Sequence, residues 1–219
     1  GANLLRYRVE DFIFGGSHYA RLARMSAAGI PVLTIVHGSA TAGGAYMPGM
    51  SDFVVMVRDR ARAFLAGPPL LKAATGEIAT EEELGGALMH ASVSVLAEYL
   101  AEDDADAIRA LREHLRRLAW HRHDLPLPAA SEPRFPADEL LSVMPVDGRK
   151  PVDMREVIAR LCDDSDFMEF QPTYGPATVC AYTSIGGFPV GILTNNGPLD
   201  PPGSSKATHF IQQCCQSGL

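Results

Sequence analysis

Gly43 and Gly44 are the residues of this chain best placed to do chemistry without a side chain. They follow a short apolar, β-branched run, Val32 to Val36, with the composition of a buried strand. His37-Gly38-Ser39 breaks that run with small turn-forming residues, and Ala45 to Met50 can then wind as a helix. A strand, a small-residue turn and a helix start leave backbone N–H groups without partners at the positive end of a helix dipole. Such groups can hold a developing oxyanion, and paired glycines let a carbonyl approach closely. The same pair would equally permit close packing of helix on strand, and the stretch alone leaves both readings open.

Few other residues offer a reaction centre. Ser39 has His37 two residues away, a spacing on a turn that rarely gives a productive dyad, and no Gly-x-Ser-x-Gly elbow occurs. A hydratase, isomerase or decarboxylase would need a carboxylate base beside the glycines, for which Glu10, Asp11 and Asp52 are the candidates. Glu102-Asp103-Asp104 reads as a negative cap on a helix before it reads as a magnesium site. His121 and His123 lack further ligands nearby, and His90 lies between small residues, so no metal site is expected. Cys162, Cys180, Cys214 and Cys215 form no Cys-x-x-Cys, and buried free thiols in a reducing compartment are expected.

Several elements must position these residues. Ser17 to Ala28 reads as a helix stopped by Gly29, with Tyr19, Leu22, Ala23 and Ala27 near one face, whereas residues 8–16 read as irregular. Phe53 to Val57 is a second apolar strand. Arg58, Arg60 and Arg62 would share one face if extended, either as a basic ladder towards phosphates or as a solvated or subunit-contact face. A short strand at Ala63 to Ala66 turns at Gly67-Pro68-Pro69 into a helix running towards Thr75, a second helix N-terminus able to line an acyl channel. Thr80 to Glu83 is a capping box. Ala105 to Ala119 is the clearest helix, with Ile108, Leu111, Leu115 and Leu118 as its apolar stripe. Proline-rich residues from 121 read as a linker. Asp153 caps a helix enclosing Val157, Ile158 and Leu161, Thr178 to Ile185 and Val190 to Thr194 form two strands joined by Gly186-Gly187 with Gly-Phe-Pro as the turn, and Ser204 to Gln216 forms a helix.

The 219 residues, 47% hydrophobic and 21% charged, suit one or two ordinary globular domains. A net charge of −7 argues against nucleic acid as the main partner. No uninterrupted apolar window suits a membrane span, and the start lacks a secretory signal and an initiator Met, which reads as a fragment or processed piece.

Wider blocks carry a resemblance. Thr-Ala-Gly-Gly-Ala-Tyr fills 41–46, Phe-Leu-Ala-Gly-Pro-Pro-Leu-Leu-Lys-Ala-Ala-Thr-Gly-Glu fills 64–77, and Glu-Leu-Gly-Gly-Ala fills 83–87. Gly-Phe-Pro-Val-Gly-Ile-Leu-Thr-Asn-Asn-Gly follows at 187–197 and Lys-Ala-Thr-His-Phe-Ile-Gln-Gln-Cys-Cys at 206–215. In this order and spacing the chain resembles the carboxyltransferase β subunit of biotin-dependent acyl-CoA carboxylases over nearly its whole length. The methylcrotonyl-, geranyl- and propionyl-CoA enzymes are the members it resembles, and the 194–203 segment looks most like the geranyl-CoA type.

The resemblance implies an α/β, crotonase-like ββα superhelix, the end of one unit plus the start of a second. Residues 1–120 correspond to part of an acyl-CoA-side N-domain, 121–150 to a linker and 151–219 to part of a biotin-side C-domain. It implies an enzyme that moves a carboxyl group from carboxybiotin to a branched enoyl-CoA through an enolate. The biotin ureido oxyanion takes the substrate proton, so the protein supplies oxyanion donors and no strong side-chain base. Backbone amides of the Ala42-Gly43-Gly44 segment, Gly43 and Gly44 first among them, would hold the thioester oxyanion. Ala42, Ala45, Tyr46, Phe64, Gly67 and Pro68 would bind substrate, and Asn195, Asn196 and Gly197 would meet biotin, with the second oxyanion hole beyond Leu219. Biotin would arrive on a biotin carboxylase/biotin carrier α subunit, and the β chain would form a homo-oligomer, a hexamer in the family, in a bacterial cytoplasm or the mitochondrial matrix. A crotonase-like hydratase or decarboxylase, or a non-catalytic paralogue, are the competing readings.

Overall fold

The computed structural model describes residues 5–6, 8–118, 126 and 128–219, and the chain divides into two compact units, Gly1–Leu111 and Arg112–Leu219. In the first unit α1 (Val9–Gly15) and α2 (Ser17–Ala27) precede β1 (Leu33–Val36), β2 (Ser39–Thr41) and α3 (Gly43–Gly49). Next come β3 (Phe53–Val57), β4 (Arg62–Phe64), α4 (Pro68–Thr75), α5 (Glu81–Gly85), α6 (Ala87–Ser92), β5 (Tyr99–Ala101) and the start of α7 (Asp104–Arg117).

One parallel sheet has the order β1-β3-β5, and all five residues of β3 are buried. That explains the unalternating Phe-Val-Val-Met-Val: a central strand covered on both faces has no wet side to pattern for. A second parallel pair joins β2 to β4 and sets Thr41 opposite Phe64. The capping box at α5 forms, with the Thr80 hydroxyl accepting from the Glu83 amide at 3.2 Å and the Glu83 carboxylate accepting from the Thr80 amide at 2.8 Å. Gly85 is obligatory there, because a Cβ would stand 2.3 Å from the Ala63 carbonyl oxygen of β4.

The second unit holds the end of α7, then α8 (Leu140–Val143), α9 (Met154–Ala159), β6 (Met168–Glu169), β7 (Thr178–Ile185), β8 (Phe188–Asn195) and α10 (Pro201–Ser217). Its sheet is antiparallel with β7 central. Gly186 and Gly187, at φ +60° and +83°, form the β7–β8 turn, a conformation that favours glycine. The Asp163 carboxylate accepts from both turn amides, at 2.9 and 2.8 Å. Burial by itself would push that carboxyl up, but the Gly187 amide, Ser184 and the Gly186 amide outweigh it and hold it below the usual range. Asp153 caps α9 and Asp200 caps α10, each accepting from a first-turn amide.

Some expectations are corrected. Residues 8–16 are largely helical, in α1. Arg58 and Arg60 are not on an extended ladder; the chain turns there, with Asp59 at φ +58°, and the three arginines pair with Glu102, Asp104 and Glu81. The buried face of α7 is Ala107, Ala110, His114 and Arg117; of the expected stripe Leu118, just past the helix, is buried, whereas Ile108 and Leu115 are about half exposed. The three-four-three spacing is the same as in the expected stripe, moved back by one residue and so about 100° around the helix. Two alanines allow close approach, and Arg117 is tolerated inside because Glu113 and Asp166 pair with it at 2.6 and 2.7 Å. Leu161 is exposed and not enclosed. Phe188 and Pro189 belong to β8, not to the turn, and an edge strand accommodates that proline. Neither α6 nor β5 was legible, since each is short and framed by long-range contacts. Of the expected linker, residues 121–125 and 127 lie outside the described residues, as do His121 and His123.

All four cysteines are free, and burial pushes the Cys180 and Cys214 thiols up to about 11, which keeps them protonated and inert. Among the described residues no helix is long and apolar enough to cross a membrane.

Candidate active site

The chain leaves β2 through Ala42, which takes φ +52° and ψ −118°, a conformation rare for a residue with a Cβ. Two bonds anchor this corner: the Ala42 amide donates to the Phe64 carbonyl at 3.1 Å, and the Ala45 amide donates to the Ala42 carbonyl at 2.9 Å. Between them, the N–H groups of Gly43 and Gly44 have no acceptor among the described residues. Of the three amides singled out in the sequence, Ala42 is thus consumed by the fold and the two glycines are left over.

Their surroundings differ. A Cβ on Gly44 would meet nothing within 4 Å, so its small size is not required by packing within the chain. A Cβ on Gly43 would stand 2.8 Å from the Tyr19 hydroxyl, which donates to the Gly43 carbonyl at 2.5 Å. An open groove of about 300 Å³ runs beside the corner, lined by Ile35, His37, Ser39, Gly44, Met47 and Pro48 among others. Tyr46 is 53% exposed, its ring edge-on to Tyr19 at 6.0 Å. His37 lies 3.7 Å from Asp104, and among the described residues no hydrogen bond joins it to Ser39.

Other residues expected at the site fall in two places. Phe64 meets the glycine corner through β2–β4 pairing, and its ring packs near Gly67, within 3.6 Å of where a Cβ would be. Gly67 is the N-cap of α4, whose first positions are Pro68 and Pro69. Neither proline has an N–H, so this second helix start offers fewer donors than a bare helix end. Asn195, Asn196 and Gly197 stand at the end of β8 in the second unit. Asn196 is committed within it, donating to Asp153 at 2.9 Å and accepting from the Met154 amide at 2.7 Å. Asn195 Oδ1 accepts from the Thr178 hydroxyl at 2.8 Å, which leaves Asn195 Nδ2 and the Gly197 amide without acceptors among the described residues.

The carboxylates considered as bases sit elsewhere. Glu10 and Asp11 are exposed on α1 near Arg8, and Asp52 accepts from the Val32 amide at 2.7 Å. None of the three lines the groove. The residue that sequence reasoning missed is Tyr19, known only as one of a helix face; Thr34 to Ser39 read as strand and turn, not as the wall of a groove. A tyrosine hydroxyl facing inward needs a polar partner, which was the one available signal.

The carboxyl transferase domain family matches residues 1–219. This chain belongs to that family. The carboxyl transferase chain is 53% identical over 205 residues to a Mycobacterium tuberculosis protein described as a probable biotin-dependent acyl-coenzyme A carboxylase β2 subunit, covering 93% of this chain and 39% of the relative. It is 51% identical to the β subunit of P. aeruginosa geranyl-CoA carboxylase, with a TM-score of 0.51 over 99% of this chain and 41% of that one. The transcarboxylase 12S structure, described as a hexamer assembly with methylmalonyl-coenzyme A and methylmalonic acid bound, matches at TM-score 0.82 and 30% identity, over 97% of this chain and 42% of that one. The carboxyl transferase fold seen here is accordingly the crotonase-like α/β fold. The chain spans about two fifths of the length of these relatives.

Proposed function

We propose that this chain is part of a carboxyltransferase β subunit that moves a carboxyl group from carboxybiotin to an acyl-CoA, with Gly43 and Gly44 as the donors for the thioester oxyanion. The observation that carries the reading is the pair of unclaimed amides beside an open groove, in a chain of the carboxyl transferase family. Two preorganised N–H groups are worth most where charge develops, and loss of one such donor typically costs about 2.7–4 kcal/mol of transition-state stabilisation. The enolate of an acyl thioester develops charge on that oxygen, and the positions of Glu10, Asp11 and Asp52 favour transfer over a hydratase that needs its own base.

Substrate would bind along Ala42, Ala45, Tyr46 and Phe64, with Gly67 and Pro68 further along the same unit. Biotin, carried by a partner α subunit, supplies the carboxyl group and the proton acceptor when bound. Residues 195–197 fit a ureido oxygen through the two donors they leave over, Asn195 Nδ2 and the Gly197 amide. In this reading residues 1–120 serve the acyl-CoA and 151–219 the biotin, within a homo-oligomer like the 12S hexamer. A branched enoyl-CoA of the geranyl or methylcrotonyl type is the favoured substrate, supported by the 51% identity to the geranyl-CoA subunit.

The test is a carboxybiotin-dependent transfer assay on the full-length β subunit with its α partner, run across geranyl-, methylcrotonyl- and propionyl-CoA. Carboxylated product from a branched enoyl-CoA is expected. Hydration or decarboxylation without biotin would overturn the reading, and absence of acyl-CoA binding by calorimetry would leave a non-catalytic paralogue.

A further inference from the structure

We infer that Tyr19 is a positioning residue for the oxyanion donors, acting on the Gly44 N–H through the peptide it shares with the Gly43 carbonyl. The inference rests on the oxyanion reading of Gly43 and Gly44. Tyr19, on α2, donates its hydroxyl to the Gly43 carbonyl at 2.5 Å across 24 residues of sequence. That carbonyl and the Gly44 N–H belong to one peptide unit, planar and trans. Fixing the oxygen on the Tyr19 side therefore directs the N–H to the opposite side. Gly44 lines the groove and Tyr19 does not, which agrees with that direction.

The corner needs an outside hold. Two successive glycines have wide conformational freedom, and α3 is only seven residues long. Pro48 falls four residues after Gly44 and has no N–H to return to the Gly44 carbonyl, so the first turn of α3 is weakly tied by its own backbone. A donor on the Gly43 oxygen also polarises the peptide and strengthens its N–H as a donor, the cooperative effect of linked hydrogen bonds. The Tyr46 ring, edge-on to Tyr19, helps to keep the phenol in place.

The variant is Tyr19→Phe in the full-length β subunit assembled with its α partner, which removes one oxygen and keeps the ring. kcat is expected to fall about 5- to 10-fold, the value of one neutral hydrogen bond, with KM for the acyl-CoA within about two-fold. A carbonyl-labelled acyl-CoA bound without carboxybiotin gives the second readout. Its thioester stretch should shift to lower frequency in the wild type and by less in Tyr19→Phe, at equal saturation and equal melting temperature. Equal shifts and equal kcat would overturn the role of Tyr19 while leaving the oxyanion reading standing. No shift in the wild type would overturn the oxyanion reading itself. A drop in kcat accompanied by a drop in melting temperature and an unchanged infrared shift would assign Tyr19 to structure alone and also overturn the inference.

Discussion

The Phe64 carbonyl accepts the Ala42 amide at 3.1 Å, and this one bond decides which amides of the corner remain for a ligand. It is the last bond of the parallel β2–β4 ladder, the one that closes the Thr41–Phe64 pair. β2 thus ends at Thr41, Ala42 caps α3, and the next two N–H groups fall in the first turn of that helix, where no intrahelical acceptor exists.

Gly44→Pro removes one of those N–H groups and breaks no bond within the described residues. The chain already opens α4 with Pro68 and Pro69 and α10 with Pro201 and Pro202, so a proline in a first turn is compatible with these helices. The expected result is a loss of about 10²–10³ in kcat with the melting temperature nearly unchanged. Wild-type turnover would remove Gly44 from the mechanism.

Ala42→Gly tests the strain at the corner. A Cβ at φ +52° carries a steric penalty of about 1–3 kcal/mol, offset in part by the larger entropy that glycine loses on folding. Denaturant unfolding should report a gain of about 1 kcal/mol. A loss of similar size would mean that the Ala42 conformation is not strained.

His114 makes the second unit sensitive to acid. Burial pushes its imidazole down to about 3, with Tyr182 edge-on at 5.2 Å. In the unfolded chain a histidine titrates near 6.5, so the unfolded state binds the extra proton first. Stability is therefore fully present above about pH 6.5 and falls as pH drops towards 3. Unfolding midpoints measured from pH 7 to pH 4 should decline, and His114→Gln should flatten that decline. An identical slope in the variant would clear His114 of the effect.

Lys206 is fully buried on α10 and donates to the Tyr174 and Thr178 carbonyls at 3.0 and 2.7 Å. Lys206→Met leaves both acceptors buried without that donor, a loss of about 2–3 kcal/mol in unfolding free energy. Equal stability of the two proteins would show that water takes over both carbonyls.

The amino-acid order by itself determined the local devices, because their chemistry lies within a few residues. Thr80 and Glu83 name their capping box, Asp153 its helix start, Gly186-Gly187 its hairpin, and Phe53 to Val57 a strand covered on both sides. The blocks from Thr41 to Cys215 also carried the family, since their spacing is a property of the chain alone. Only tertiary structure decided which face of α7 is buried, because alanine and leucine positions one residue apart differ in burial by what packs on them and not by their own polarity. It likewise decided that Ala42 gives up its amide to Phe64 and that Tyr19 reaches Gly43, since both partners lie more than twenty residues away. Spacing can propose that amides are free at a helix start, but whether another strand claims them is settled by long-range pairing.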